Sequence, residues 1–198
     1  LPFAIAARTK YKTLADFVAE GRKQPSPLNY GSNGPGSSGH LFIERFLRAA
    51  KMTAQHVPFR STPDAMTEIV ADRLDMFPGP TLSVIELMKD KRVNVLAIAS
   101  SRRATLLPDV PTTTEAGVPG SEYNFWVGIF LPGKTPRAIA ERLNAEMLKA
   151  LADKGVKAKL AVLGGEIEPM TLPEFEGFVK REIAINNDIV KEIGLPPQ

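Results

Sequence analysis

The 198-residue chain contains no cysteine. That removes disulfides, thiolate metal sites and cysteine nucleophiles, although it does not fix a compartment. Basic residues only slightly outnumber acidic ones (25 Lys and Arg, 22 Asp and Glu). They are scattered and form no stripe interleaved with aromatics, so nucleic acid is not an expected partner. No apolar run approaches the roughly 20 residues of a membrane-spanning helix. His40 and His56 are the only histidines and have no i,i+4 pairing, so no metal site is expected. A G-x-S-x-G nucleophile elbow is absent, and no Asp is placed to orient His40. Without an acid, base or nucleophile in a working arrangement, the chain reads as a non-enzyme that needs no cofactor. An initiator Met and a basic leader are also missing. The chain opens inside an expected strand, Phe3–Ala7, and further residues are expected ahead of Leu1.

What is present is an alternation of strand and helix. Apolar or β-like segments at 3–7, 28–30, 55–59, 74–77 and 93–99 are separated by helical spacing. Thr13 is an N-cap with Asp16 three residues on. Ser37 or Ser38 caps a helix whose apolar part is 41–50. Thr62 caps a helix with Pro63 at its first position, and Thr81 caps another through Met88. Gln24-Pro25-Ser26-Pro27 reads as a stiff connector. The pattern implies a parallel α/β sheet, whose ligands bind outside the C-terminal strand ends. Loops 31–38, 60–62 and 78–81 fall at that edge, and each is rich in Gly, Pro, Ser or Thr.

Residues 102–122 form a long connector, followed by an expected strand over Phe125–Leu131. Three helices come next. The first, 136–151, has Ile139, Leu143, Met147 and Leu148 apolar; the second covers 156–163. The last is capped by Thr171 and runs towards Ile193, where Gly194 and Pro196 stop it. Trp126, in the cluster Tyr123, Phe125 and Trp126, is either core or a ligand contact.

The densest stretch for chemistry is Leu28-Asn29-Tyr30-Gly31-Ser32-Asn33-Gly34-Pro35-Gly36-Ser37-Ser38-Gly39-His40. Small residues expose the backbone, and the loop ends at a helix N-terminus that favours anions. It is either a cradle for a carboxylate or phosphate, or an ordinary capped connection. Residues 34–39 also match G-x-G-x-x-G. The acid expected at the next strand end is replaced by Arg60, however, and a bare glycine match is a weak signal. His40 is either a polar lining of the cradle or a capping and packing residue, and His56 reads as structural.

Several motifs then occur in one order: Asn29-Tyr30-Gly31-Ser32 with Gly34, Gly36, Ser37 and His40; His56-Val57-Pro58-Phe59-Arg60; Asp75 before a turn; Leu107-Pro108-Asp109-Val110-Pro111-Thr112; Glu115-Ala116-Gly117-Val118-Pro119-Gly120; Pro132-Gly133; and Leu143-Asn144. This order resembles the substrate-binding receptors of tripartite tricarboxylate transporters, the Bug family, over essentially the whole chain. The resemblance implies a periplasmic binding protein-like, type II-like α/β fold. Its two lobes are joined by a hinge, with the first lobe incomplete because family receptors are longer at the N-terminus. Residues 5–122 would be the complete ligand-binding lobe, and 1–4 with 123–198 part of the other. The implied function is a periplasmic solute-binding receptor that captures a small organic carboxylate for membrane transporter subunits, met transiently. A nucleotide-dependent enzyme using loop 34–39 is the alternative.

The expected ligand-binding set is Tyr30, Gly31, Ser32, Asn33, Gly34, Gly36, Ser37, Ser38, His40, Gly79, Pro80 and Thr81. Gly79 and Pro80 stand where the family commonly has an Asp-Asn pair, which argues against an amino-acid ligand. Ser61 and Thr62 replace glycines and narrow the pocket. A monomer is expected, although a truncated lobe offers a route to self-association.

Overall fold

In a computed structural model, residues 2–23, 25 and 28–194 are described. Gln24, Ser26 and Pro27 of the connector lie outside them, as does Pro196. The chain divides into two compact units, Leu1–Phe125 with Ile189–Gln198, and Trp126–Asp188.

The first unit holds a five-stranded sheet in the order β3-β2-β4-β1-β5. The strands are β1 (Phe3–Ala7), β2 (Asn29–Ser32), β3 (Gln55–Pro58), β4 (Met76–Pro80) and β5 (Asn94–Ile98). Between them run α1 (Leu14–Gly21), α2 (Ser38–Ala50), α3 (Thr62–Val70) and α4 (Thr81–Lys89). β2 is parallel to β3 and β4, as expected, but β1 is antiparallel to both β4 and β5. β1 alternates between two cores. Phe3, Ile5 and Ala7 join α1 and α2 residues such as Phe17, Phe42 and Phe46. Ala4 and Ala6 join Ala65, Ile69 and Val84 of α3 and α4. All five β1 residues are buried, as an inner strand covered on both faces requires. Phe3 and Ala4 thus lie in this sheet, although the sequence division assigned 1–4 to the other lobe.

The reversal of β1 has an electrostatic partner. It brings Arg8, just past the end of β1, to Asp75, just before β4. Asp75 is 4% exposed. Its carboxylate accepts from Arg8 Nη1 at 3.1 Å, from the Asn29 N–H at 3.1 Å and, more weakly, from Tyr11 Oη at 3.4 Å. Lys10 Nζ lies 3.7 Å away. Asn29 Oδ1 returns a bond from the Asp75 N–H at 2.8 Å. Paired to Asn29 in both directions, Asp75 extends the β2–β4 contact, whose ladder is the single pair Tyr30–Met76.

β4 also differs from expectation. Pro78-Gly79-Pro80 is strand, not a closing turn, because it pairs with Ile5, Ala4 and Phe3 of β1. Proline costs a strand its ladder donor, and here the β2 ladder has already ended at Met76.

The second unit contains α5 (Arg137–Ala152), α6 (Lys154–Val162) and α7 (Leu172–Glu192) as far as Asp188. The expected strand over 125–131 does not form: among the described residues no strand pairs with it. Trp126 packs edge-on against Phe175 and Phe178, and its Nε1–H donates to Glu182 at 3.1 Å. None of residues 126–188 is buried. Ile139 and Leu143 of the expected apolar stripe are 49% and 47% exposed, and Val127, Ile129 and Val162 more so.

Replacing Asp75 by Ala should destabilise the first unit by about 3 kcal/mol, since Arg8 and the Asn29 N–H lose a buried partner. The midpoint of urea unfolding tests this, and an unchanged midpoint would refute it.

Candidate functional site

Each parallel strand delivers the chain into a helix: β2 into α2, β3 into α3, β4 into α4. The three helix N-termini therefore gather at one sheet edge, with first-turn N–H groups that have no acceptor in their own helix. Loop 33–37 closes the β2 corner. Gly34 and Gly36 have φ of 102° and 75°, where a Cβ would be strained. Ser37 caps α2: its Oγ accepts the His40 N–H at 3.3 Å, and its own N–H donates to Gly34 O at 3.2 Å. Ser38 is thus the first helical residue, not the cap. Gly39 lets α2 press on β4, since a Cβ there would sit 3.1 Å from Pro78 Cγ.

Beneath the loop lies a stack of three rings. The β2–β3 register sets Tyr30 opposite His56, and their rings stack at 5.0 Å. His56 stacks on His40 at 4.1 Å with planes 17° apart. Ser32 is fully buried and saturated. Its Oγ meets His56 Nε2 at 2.7 Å, accepts the Gly34 N–H at 3.2 Å, and donates to Gly34 O at 3.1 Å. With one donor and two acceptor sites, this hydroxyl is satisfied in full when His56 carries its proton on Nε2. His40 Nδ1 accepts the Gly36 N–H at 3.1 Å, so it must be unprotonated. Both ends of loop 33–37 are therefore tied to the histidine pair. Glu44 accepts from the Tyr30 hydroxyl and stands 3.8 Å from His40 Nε2. Burial, with the Glu44 bond, pushes the Tyr30 hydroxyl up. Burial also holds His40 below its ordinary range, against the opposing pull of Glu44. Burial and His40 push His56 down to about 4.

At the next corner Pro80, not Thr81, occupies the cap position of α4, and it offers no side-chain bond. Thr81 begins the helix instead. Its N–H donates to Pro2 O at 3.2 Å, while its buried Oγ1 has no partner among the described residues. Gly79 is needed for packing, since a Cβ would come within 2.8 Å of Val84 Cγ1. Gly31 is likewise wedged against Leu74, Phe77 and Phe59. At the β3 corner Ser61, not Thr62, is the cap; its Oγ accepts the Asp64 N–H at 3.3 Å.

The predicted site residues fall into two groups. Asn33, Gly34, Gly36, Ser37, Ser38, Pro80 and Thr81 form or adjoin the edge where N–H groups converge. Tyr30, Gly31, Ser32, His40 and Gly79 are buried supports below it. Two residues were missed. His56 was read as structural, and only the strand register reveals its place in the stack. Arg60 directly follows Phe59, whose N–H donates to Ser32 O at 2.8 Å, so it stands beside the loop. It is exposed, with no ion-pair or hydrogen-bond partner among the described residues. The signal was its place just past β3, where a dinucleotide site needs a carboxylate instead. The edge thus combines helix N-termini, small residues, hydroxyls and one free cation, which suits an anion.

Comparison with known proteins agrees in extent and character. The family model described as "Tripartite tricarboxylate transporter family receptor" matches residues 2–195. A "UPF0065 protein in tcbD-tcbE intergenic region" of Pseudomonas sp. (strain P51) is 37% identical over 161 residues, 81% of this chain and 48% of its own length. "Protein BugT" of Bordetella pertussis is 27% identical over 200 residues, 98% of this chain and 60% of its own. The chain thus spans about half to three fifths of the length of these relatives. Among solved structures, an R. palustris protein with adipate superposes with a TM-score of 0.85 at 26% identity, covering 100% of this chain and 67% of that one. MatC from Rhodopseudomonas palustris with bound malate gives 0.79 at 29% identity, covering 96% and 66%.

The unfolded His56 takes up a proton near its ordinary pKa of 6.5, and the folded one only near 4. Stability should therefore be full above about pH 6.5 and fall as pH drops towards 4. The loss between pH 7 and pH 5 should be of order 1 kcal/mol after allowance for the ring's partial exposure. Urea midpoints across that range test it; a His56→Gln variant should show a shallower fall, and equal slopes would remove His56 as the cause.

Proposed function

Because the chain belongs to the family of tripartite tricarboxylate transporter receptors, we propose that it captures a small organic carboxylate at the edge formed by loop 33–37 and the starts of α3 and α4. The observation that carries this reading is the convergence of three helix N-termini on one loop of small residues. Loop N–H groups and the Ser37 and Ser38 hydroxyls would hold one carboxylate, with Thr81 Oγ1 a further donor. Gly79 and Pro80 bring no charge to β4's end, which disfavours a ligand amino group and suits a plain carboxylate. Adipate and malate, named with two structural relatives, set the class to try first.

In this reading the protein acts by binding and not by turnover. It works in the periplasm as a monomer and hands its ligand to membrane transporter subunits that it meets transiently. Residues 5–122, together with Phe3 and Ala4 of β1, are its ligand-binding lobe, and the unit Trp126–Asp188 belongs to the other.

Isothermal titration should show binding of a short dicarboxylate and none of a dinucleotide. Stabilisation by the dinucleotide alone would favour the glycine loop as a nucleotide site and overturn the proposal. Ser37→Ala removes a helix cap worth about 1 kcal/mol and should weaken binding about fivefold. Gly36→Val strains the loop and should weaken it further, with the melting transition still cooperative. Unchanged affinity in both variants would take loop 33–37 out of the site.

A further inference from the structure

The histidine pair has no place in a cradle made only of amides and hydroxyls, yet it is bonded to that loop twice. His40 Nδ1 accepts the Gly36 N–H at 3.1 Å, and His56 Nε2 bonds Ser32, whose hydroxyl holds both N–H and C=O of Gly34. The rings are 4.1 Å apart and nearly parallel. His40 is 6% exposed, so its ring is enclosed by protein. We propose that His40 is a positioning residue for the cradle: its neutral ring, held flat by His56, keeps loop 34–37 in its binding shape, and protonation of Nδ1 unlatches the loop.

The argument is one of donors and acceptors. Gly36 is bonded at a left-handed φ of 75°, a conformation that the loop must hold in register with the α2 cap. A protonated Nδ1 would turn an N–H towards an N–H, and the bond would be lost. Of the groups facing the ring, Glu44 on α2 favours its protonation while burial opposes it; His56 on β3 is itself held neutral, and Tyr30 on β2 is bonded to Glu44. The balance keeps the latch closed at neutral pH and opens it in acid. Ligand release would then follow local acidification, a property beyond plain carboxylate capture, though it rests on that reading of the site.

Two measurements separate this inference from the carboxylate reading. The first needs no ligand. In amide NMR of the unliganded protein, the Gly36 N–H resonance should shift with the same midpoint as the His40 ring protons. A Gly36 amide that stays put while His40 titrates would overturn the latch. The second uses adipate and malate as probes at pH 7.5 and 5.5. His40→Leu should weaken binding about tenfold at pH 7.5, through loss of the acceptor. His40→Asn, whose Oδ1 can stand in for Nδ1, should recover most of that loss. It should also lack the extra weakening in acid that the wild type shows, since the ligand's own protonation affects both proteins alike. An equal acid response in wild type and His40→Asn, or tighter wild-type binding in acid, would refute the latch. If neither probe binds, the carboxylate reading fails while the Gly36 titration still decides the latch.

Discussion

A buried carboxylate must be hydrogen-bonded or it unfolds its surroundings, and in this chain that requirement falls on Asp75. Its two-way exchange with Asn29 joins β2 to β4 where the ladder itself supplies one residue pair. Its bond to Arg8 anchors the outgoing end of β1 at the same place. The register of three strands is thus set at one edge of the sheet. Everything at the opposite edge inherits that register: where loop 33–37 begins, and how close α2 comes to β4.

The candidate site is accordingly a consequence of topology more than of any one side chain. Parallel strands feeding helices bring N–H groups to the edge whatever the intervening residues are. The residues decide what those groups can hold. Gly34 and Gly36 permit the left-handed turns, Gly39 permits the approach to Pro78, and the imidazole stack supports the loop from below. A surface built this way presents N–H donors and hydroxyls, the groups that hold an anion.

What could be read from the sequence follows the range of the interactions. Thr13 and Ser37 were legible as caps because a cap is decided within four residues. The α/β alternation and the loop at the sheet edge were legible for the same reason. Pro78-Gly79-Pro80 carries turn chemistry, but pairing with a strand about 75 residues away overrode it, as tertiary context does. The extended segment at 125–131 has strand composition yet finds no neighbour, so composition alone misled. His56 could not be placed without knowing that β3 lies beside β2 with His56 opposite Tyr30. The orientation of β1 depended on the same long-range information.

The inner position of β1 also dictates an order of assembly. Its partners, Met76–Pro80 and Asn94–Ile98, emerge from the ribosome long after it does. Until then the five residues of β1 lack both of these sheet partners, and β2 lacks β4. Sheet formation must therefore wait for contacts of high sequence separation and close in a late, concerted step, the regime in which topology makes folding slow.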